Sequence, residues 1–344
     1  MPPLERLLLH IGLPKTGTKT LQLTMSLNRG LLRRHGFVYP TLTGERHLDL
    51  PLYAANESAI VGMRARSGLA DPARFARFVD QVPARLTDAL TASGVHTAIL
   101  SSEHCSSLLS TTEEITRLHR LLVPLARQLR VILYLRRQDD LAVSLYSAAV
   151  RAGHTGEFEL VEGPAWFDYL SLLDRWADVF GPDSLDVRVF EPAQLDHDGL
   201  LADFCRAIAF EPYEQLDRPP DQNTSLDIHA LEFLKRFNTH VPVLSEACPN
   251  PSRGDIVQAI GAISSKARLR PNLQAARAFL DKYAASNSTV ARKYLNRADG
   301  VLFTEEPQDR PERSPSLDVE KVIEIAAELW QWQERRHRRR RQGE

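Results

Sequence analysis

The sequence predicts an α/β fold, a parallel β-sheet flanked by helices and followed by a largely helical C-terminal half. Three observations predict it. Short apolar runs alternate with helix-period stretches from Leu7 to Val189, the first run opens into a glycine-containing loop, and strand-like runs stop beyond about residue 197.

The strand candidates are Leu7 to Ile11, Thr97 to Leu100, Val131 to Leu135 and Leu185 to Val189. Amphipathic stretches lie between them at about residues 18–34, 72–92, 112–128, 139–151 and 166–180, which gives a repeated βαβ pattern. Later helical signals run through Leu200 to Ile208, Leu226 to Phe237, Leu273 to Ala285 and Val319 to Trp332, with Leu226, Ala230, Phe233, Leu234 and Phe237 on one face. Residues 41–70 and the proline-rich run Glu305 to Ser316 carry neither period, and loops of such length are usually functional or disordered. The expected organisation is an α/β domain over 1–304 with a helical part from about 197, a linker over 305–317, and a C-terminal helix with a basic tail over 318–344.

A chain of 344 residues, 43% apolar and 25% charged, buries a sizeable core. Its net charge of −1 exerts no general pull on nucleic acid, so no nucleic-acid partner is expected and anions must be held by local basic positions. Cys105, Cys205 and Cys248 are odd in number and lack metal-ligand spacing, which suits a reducing compartment. No metal site is expected, because the histidines do not cluster and none sits in HExxH or Cys/His spacing. The opening run reads as a first strand and no stretch reaches the ~18 apolar residues of a membrane helix, so a cytoplasmic location is expected. Trp166, Trp176, Trp330 and Trp332 sit at helix spacing among aliphatics and read as core. The basic run Arg335 to Arg341 reads as a solvated tail, the one expected route to acidic lipid.

The segment GLPKTGTKT, Gly12 to Thr20, follows the first strand and leads into a helix. Backbone N–H groups at such a helix start cradle a phosphate, and Lys15 adds charge. The nucleoside-triphosphate spacing GxxxxGK[ST] would need Lys where Thr18 stands, with Lys19 one residue late. In VILYLRRQDDLAVSLY a buried strand is followed by Arg136 and then a helix that carries Ser144, with Asp139 and Asp140 at its start. Arginine's planar fork suits phosphate oxygens, and a serine hydroxyl adds a directional bond. A third strand end, SSEHCSSLL, places Glu103 and His104 where open α/β sheets bind ligands.

Together these elements resemble the sulfotransferases that use 3'-phosphoadenosine 5'-phosphosulfate (PAPS). PKTGTKT is similar to their PKTGTT loop, and Arg136, Asp140, Ser144 and Tyr146 match their RNPKDxxxSxY element in register. Two departures stand out: Lys19 replaces the second loop threonine, and Gln138 and Asp139 stand where the family has a proline turn. The resemblance implies the phosphate-loop member of the α/β class, PAPS as donor and no metal. It implies donor binding by Lys15, Thr16, Gly17, Thr18, Lys19, Thr20, Arg136 and Ser144. Lys15 would offset charge on the departing phosphate, and Glu103 would fall on the family's catalytic base, with His104 its rival. The acceptor implied is a hydroxyl of a glycan or glycolipid; residues 41–70, by the length of their aperiodic run, are the candidate lining of an acceptor site. NTSL, Asn223 to Leu226, resembles a segment of the bacterial relatives or serves as a helix cap.

Two rivals stand beside this reading. A small-molecule kinase would hold Mg²⁺ through a loop hydroxyl and a strand-end Asp, yet no apolar strand here ends in Asp. A non-catalytic nucleotide-binding relative is allowed by Lys19 and the missing proline.

Overall fold

The two-residue period of a strand decides the layering. In β1 (Leu4–His10), Leu7 and Leu9 enter one hydrophobic cluster and Leu8 the opposite one. The structure, a computed structural model, describes residues 4–91, 95–219, 226–245, 248–250, 253–264, 269–308 and 317–342. Among these, β1, β2 (Phe37–Val38), β3 (Thr97–Ser101), β4 (Ala126–Leu135) and β5 (Leu185–Val189) form a wholly parallel sheet in the order β2-β3-β1-β4-β5. The fold class is the one the sequence predicts.

The helices in chain order are α1 (Thr18–Leu27), α2 (Arg29–Arg34), α3 (Asp49–Ala54), α4 (Val61–Arg66), α5 (Pro72–Leu90), α6 (His104–Leu108), α7 (Thr112–Leu122) and α8 (Gln138–Arg151). They continue with α9 (Tyr169–Phe180), α10 (Leu200–Ala207), α11 (Ile228–His240), α12 (Gly254–Ile263), α13 (Leu273–Asp281), α14 (Ala284–Leu295) and α15 (Val319–Gln342). The chain divides into two compact units. The first comprises Met1–Arg137, Gly163–Pro220 and Lys282–Glu306, and the second Gln138–Glu162, Asp221–Asp281 and Pro307–Glu344.

In the first unit, one sheet face is covered by α3, α5, α7, α9 and α14 and the other by α1, α2 and α10. Helix α5 shows why such elements form. Asp71 caps it through a 2.7 Å bond from the Arg74 N–H, Pro72 opens it, and Phe75, Phe78, Val82 and Leu86 bury one stripe. Trp176 of α9 is wholly buried and stacks on Phe180 at 5.4 Å. Because β1 lies between β3 and β4, the segments leaving their three C-terminal ends emerge side by side.

The second unit packs α8, α11 and α12 around Val150, Leu226, Leu231, Leu234 and Ile260. Buried Arg253 ties it together, donating to the Asn238 carboxamide and, at 2.9 Å, to the Arg151 carbonyl. A short antiparallel pair, β6 (Leu244–Ser245) with β7 (Cys248–Pro249), also belongs to it, so strands do not end entirely at residue 197.

Several sequence expectations need correction. The amphipathic stretch 112–128 is not one helix: α7 stops at Leu122, a 3₁₀ turn containing Pro124 follows, and β4 begins at Ala126. Residues 41–70 hold α3 and α4, too short for a period to register. Helix α11 is capped by Asp227, which accepts from the Ala230 N–H at 2.8 Å, while Asn223 and Thr224 lie outside the described residues, as do 309–316 of the expected linker. The basic run is no separate tail, since α15 continues through it to Gln342. Trp330 is 68% exposed instead of core, because Ile325, Leu329 and Trp332 occupy the inner face of its helix. No helix among the described residues is long and apolar enough to cross a membrane.

Candidate active site

The loop between β1 and α1 is shaped by three left-handed residues, Gly12 (φ 49°), Lys15 (φ 69°) and Gly17 (φ 76°). Glycine adopts this region freely, whereas a lysine there stores on the order of 1 kcal/mol of strain and persists only where its surroundings hold it. Two contacts do so. Thr16, wholly buried, donates its hydroxyl to the Leu13 carbonyl at 2.8 Å, and Arg136 donates from Nη1 to the Lys15 carbonyl at 2.8 Å. Thr18 reaches the same Leu13 carbonyl at 3.4 Å.

Gly17 then serves as the N-cap of α1, with no side chain bonded to the helix start. The first N–H groups of such a helix face outward with the positive end of its dipole. A Cβ at Gly17 would stand 2.2 Å from Leu200 Cδ2, the end of a side chain that can turn aside, so the glycine is required chiefly by its conformation. Gly17→Ala is therefore expected to destabilise the fold by about 1–3 kcal/mol. An unchanged urea midpoint would show that the loop relaxes freely.

Lys15 and Lys19 are both exposed, and Thr20 sits in the first turn of α1. Arg136 leaves the end of β4 half-buried, with its guanidinium 5.7 Å from the Phe190 ring centroid and its carbonyl bound by the Tyr169 hydroxyl. Three cationic side chains thus belong to one loop, the first turn of the helix it opens and the strand end beside it. Ser144 lies half-buried on α8, in the second unit. In that unit the Tyr146 hydroxyl donates to the Gly156 carbonyl at 2.9 Å, and Asp139 is buried while Asp140 is exposed.

Glu103 abuts the loop from the side of β3: a Cβ built on Gly12 would lie 3.4 Å from both Cα and Cβ of Glu103. Its carboxylate accepts a 2.9 Å hydrogen bond from Gln22 Nε2 of α1, and its carbonyl accepts from the Ser106 and Ser107 hydroxyls at 3.1 and 3.3 Å. The segment that follows is anchored by Glu114, whose carboxylate accepts from the N–H groups of Ser110, Thr111 and Asn56. Burial pushes the Glu114 pKa upward, and these bonds outweigh it, leaving the group below its usual range.

His104 begins α6. Its pKa is lowered by burial, and Arg46 and Arg66 act in the same direction against Glu103. Both arginines are exposed and come from the segment 41–70. Arg46 is positioned through its neighbours: the Tyr39 hydroxyl donates to the Glu45 carbonyl, and His47 is wholly buried.

Behind Glu103 lies a buried polar network. Gln22 Nε2 is also 3.3 Å from the Ser101 hydroxyl, which pairs with His10 Nδ1 at 2.8 Å. The Ser101 N–H donates to His47 Nδ1 at 3.0 Å, so the neutral ring carries its proton on Nε2, 3.0 Å from the Pro40 carbonyl. Burial holds His10 down to about 3 and His47 down to about 4. Sequence reasoning missed these residues. Gln22, a polar side chain beside Leu21 on the buried face of α1, and His10, between Leu9 and Ile11, carried a signal; His47, in a segment without a period, carried none.

The arrangement sets a carboxylate beside a cationic loop at the helix N-terminus, a combination able to hold a phosphate and take a proton close by. No group of three His, Cys, Asp or Glu side chains among the described residues is disposed to hold a metal ion.

No protein-family model matches this chain, nor does any curated protein. Among solved structures it is similar to a sulfotransferase from Alicyclobacillus acidocaldarius, at 14% identity and a TM-score of 0.39 over 85% of this chain and 97% of that one. It is also similar to the sulfotransferase domain from the curacin biosynthetic pathway, at 12% identity and a TM-score of 0.32 over 76% of this chain and 97% of that one.

Proposed function

We propose that the protein transfers a sulfuryl group from PAPS to an acceptor hydroxyl, with a glycan or glycolipid as the acceptor class. The observation that carries this reading is the convergence on one loop of residues far apart in sequence. Arg136 binds the carbonyl of Lys15 across 121 positions, and Glu103 packs against Gly12. Taken with the motif matches at Lys15, Arg136 and Ser144, this supports a nucleotide held at its 5' end by the loop and at its 3'-phosphate by Arg136. Ser144 joins that assignment on its sequence spacing alone.

In this scheme Glu103 takes the proton of the acceptor hydroxyl. The acceptor oxygen bonds to sulfur as the bond from sulfur to the 5'-phosphate oxygen breaks, and adenosine 3',5'-bisphosphate leaves. Lys15 and the loop amides meet the charge left on the phosphate. Gln22 keeps the Glu103 carboxylate in place from α1.

Calorimetry tests the donor assignment. Adenosine 3',5'-bisphosphate is expected to bind at micromolar or tighter affinity, well ahead of AMP. Arg136→Ala is expected to remove most of that preference, a loss of about ten- to a hundredfold for one charge-assisted contact. Equal affinity for the two nucleotides would overturn the reading.

A further inference from the structure

Helix α15 has two apolar faces. The inner one is used: Ile325 is buried, Leu329 packs on the core of its unit, and Arg336 pairs with Asp255 of α12 while lying 5.3 Å from the Trp332 ring. The outer one is not. Val319, Ile323 and Trp330 recur at i, i+4 and i+11, which is one line along a helix, and are 76%, 56% and 68% exposed. Ala326 and Ala327 fill the stretch between them, both exposed.

The grouping is unusual for this protein. Of ten large apolar residues exposed among the described residues, four, counting Val322, lie on α15, and the other six stand singly on separate segments. Beyond the inward-paired Arg336, the same helix carries Arg335, Arg338, Arg339, Arg340 and Arg341 without an acidic residue among them, in a chain whose net charge is −1. Glu320, Glu324 and Glu328 repeat every fourth residue and so form a row on another flank of the helix.

We propose that α15 is a docking surface for an anionic lipid surface, on which the Val319, Ile323 and Trp330 stripe enters the interface and the arginine run meets the headgroups. The two halves of the feature call for the same partner. A nucleic acid would take the arginines and leave the aliphatic stripe unused. A second copy of the chain would cover the stripe and leave the arginines without counter-charge. A bilayer carrying negative headgroups satisfies both, with tryptophan at the polar–apolar boundary. This surface does not depend on the reaction proposed above.

The test is flotation of the full-length protein with vesicles of phosphatidylcholine alone and of phosphatidylcholine containing about 30% phosphatidylserine. The phosphatidylserine vesicles are expected to bind at least about tenfold more tightly, with partial loss in high salt. The double variant Ile323→Ser/Trp330→Ser is expected to weaken that binding about tenfold or more. Arg339→Gln/Arg340→Gln/Arg341→Gln is expected to remove the preference for anionic vesicles. Circular dichroism and lipid-free sedimentation of the same variants check that fold and mass are unchanged. Absence of a phosphatidylserine preference would overturn the proposal, as would vesicle binding insensitive to the double variant. A lipid-free dimer abolished by Trp330→Ser would assign the face to a second copy instead. Nucleic-acid binding that ignores Trp330→Ser, without vesicle binding, would also overturn it.

Discussion

Replacing Glu103 with glutamine is expected to lower sulfuryl transfer on the order of a hundredfold or more while leaving affinity for adenosine 3',5'-bisphosphate nearly unchanged. The substitution keeps the size of the side chain and an oxygen able to accept the 2.9 Å bond from Gln22, so the position is retained and only basicity is lost. The Cα and Cβ of Glu103 also lie beside Gly12, a placement that the variant preserves. His104→Asn is the control. Burial lowers the pKa of His104 and with it its basicity, and its substitution is expected to cost far less turnover. Steady-state kinetics with donor binding measured in parallel separates the outcomes. An inactive His104→Asn beside a nearly normal Glu103→Gln would make His104 the base.

Stability is expected to fall steeply as the pH drops from about 6.5 to about 4.5, before ordinary carboxylates begin to protonate. His10 and His47 are buried neutral, with folded values of about 3 and about 4 against 6.5 when unfolded. Across that window the unfolded chain binds protons at these sites and the folded chain does not, so each lowering of pH favours unfolding. One such histidine contributes about 1.4 kcal/mol per pH unit once the pH is below its unfolded value. Two together, His10 and His47, are expected to remove several kcal/mol. The hydrogen-bonded carboxylates Glu114, Asp168, Glu191 and Asp203, all held below their usual range although burial opposes it, act in the same direction but lower. Their stabilisation is lost below about pH 4. Urea midpoints measured at half-unit steps distinguish the two windows. A flat profile from pH 6.5 to 4.5 would mean that the two histidines are hydrated or charged in the folded protein.

Both predictions concern the same few residues behind the end of β3, and they show where reading a sequence stops. The alternation of Leu7, Leu8 and Leu9, the turn residues of GLPKTGT and the placement of Arg136 after a buried run are local signals. A strand's period, a glycine's freedom at positive φ and a helix start each depend on neighbours in the chain. From them the sequence determined the α/β class, the loop and the strand ends at which Lys15, Arg136 and Glu103 stand. Only the tertiary structure decided that Arg136 grips the Lys15 carbonyl, that Gln22 steadies Glu103, and that His47 caps the Ser101 N–H from a segment without periodicity. It also decided which side of α15 faces inward, leaving Trp330 outside where spacing alone counted it as core. The reason is physical: a two- or 3.6-residue period states that a side chain shares a face with others, but not which face is covered, and contacts across 79 to 121 positions, as between Gln22 and Ser101 or Lys15 and Arg136, exist only once the sheet has brought its strand ends together.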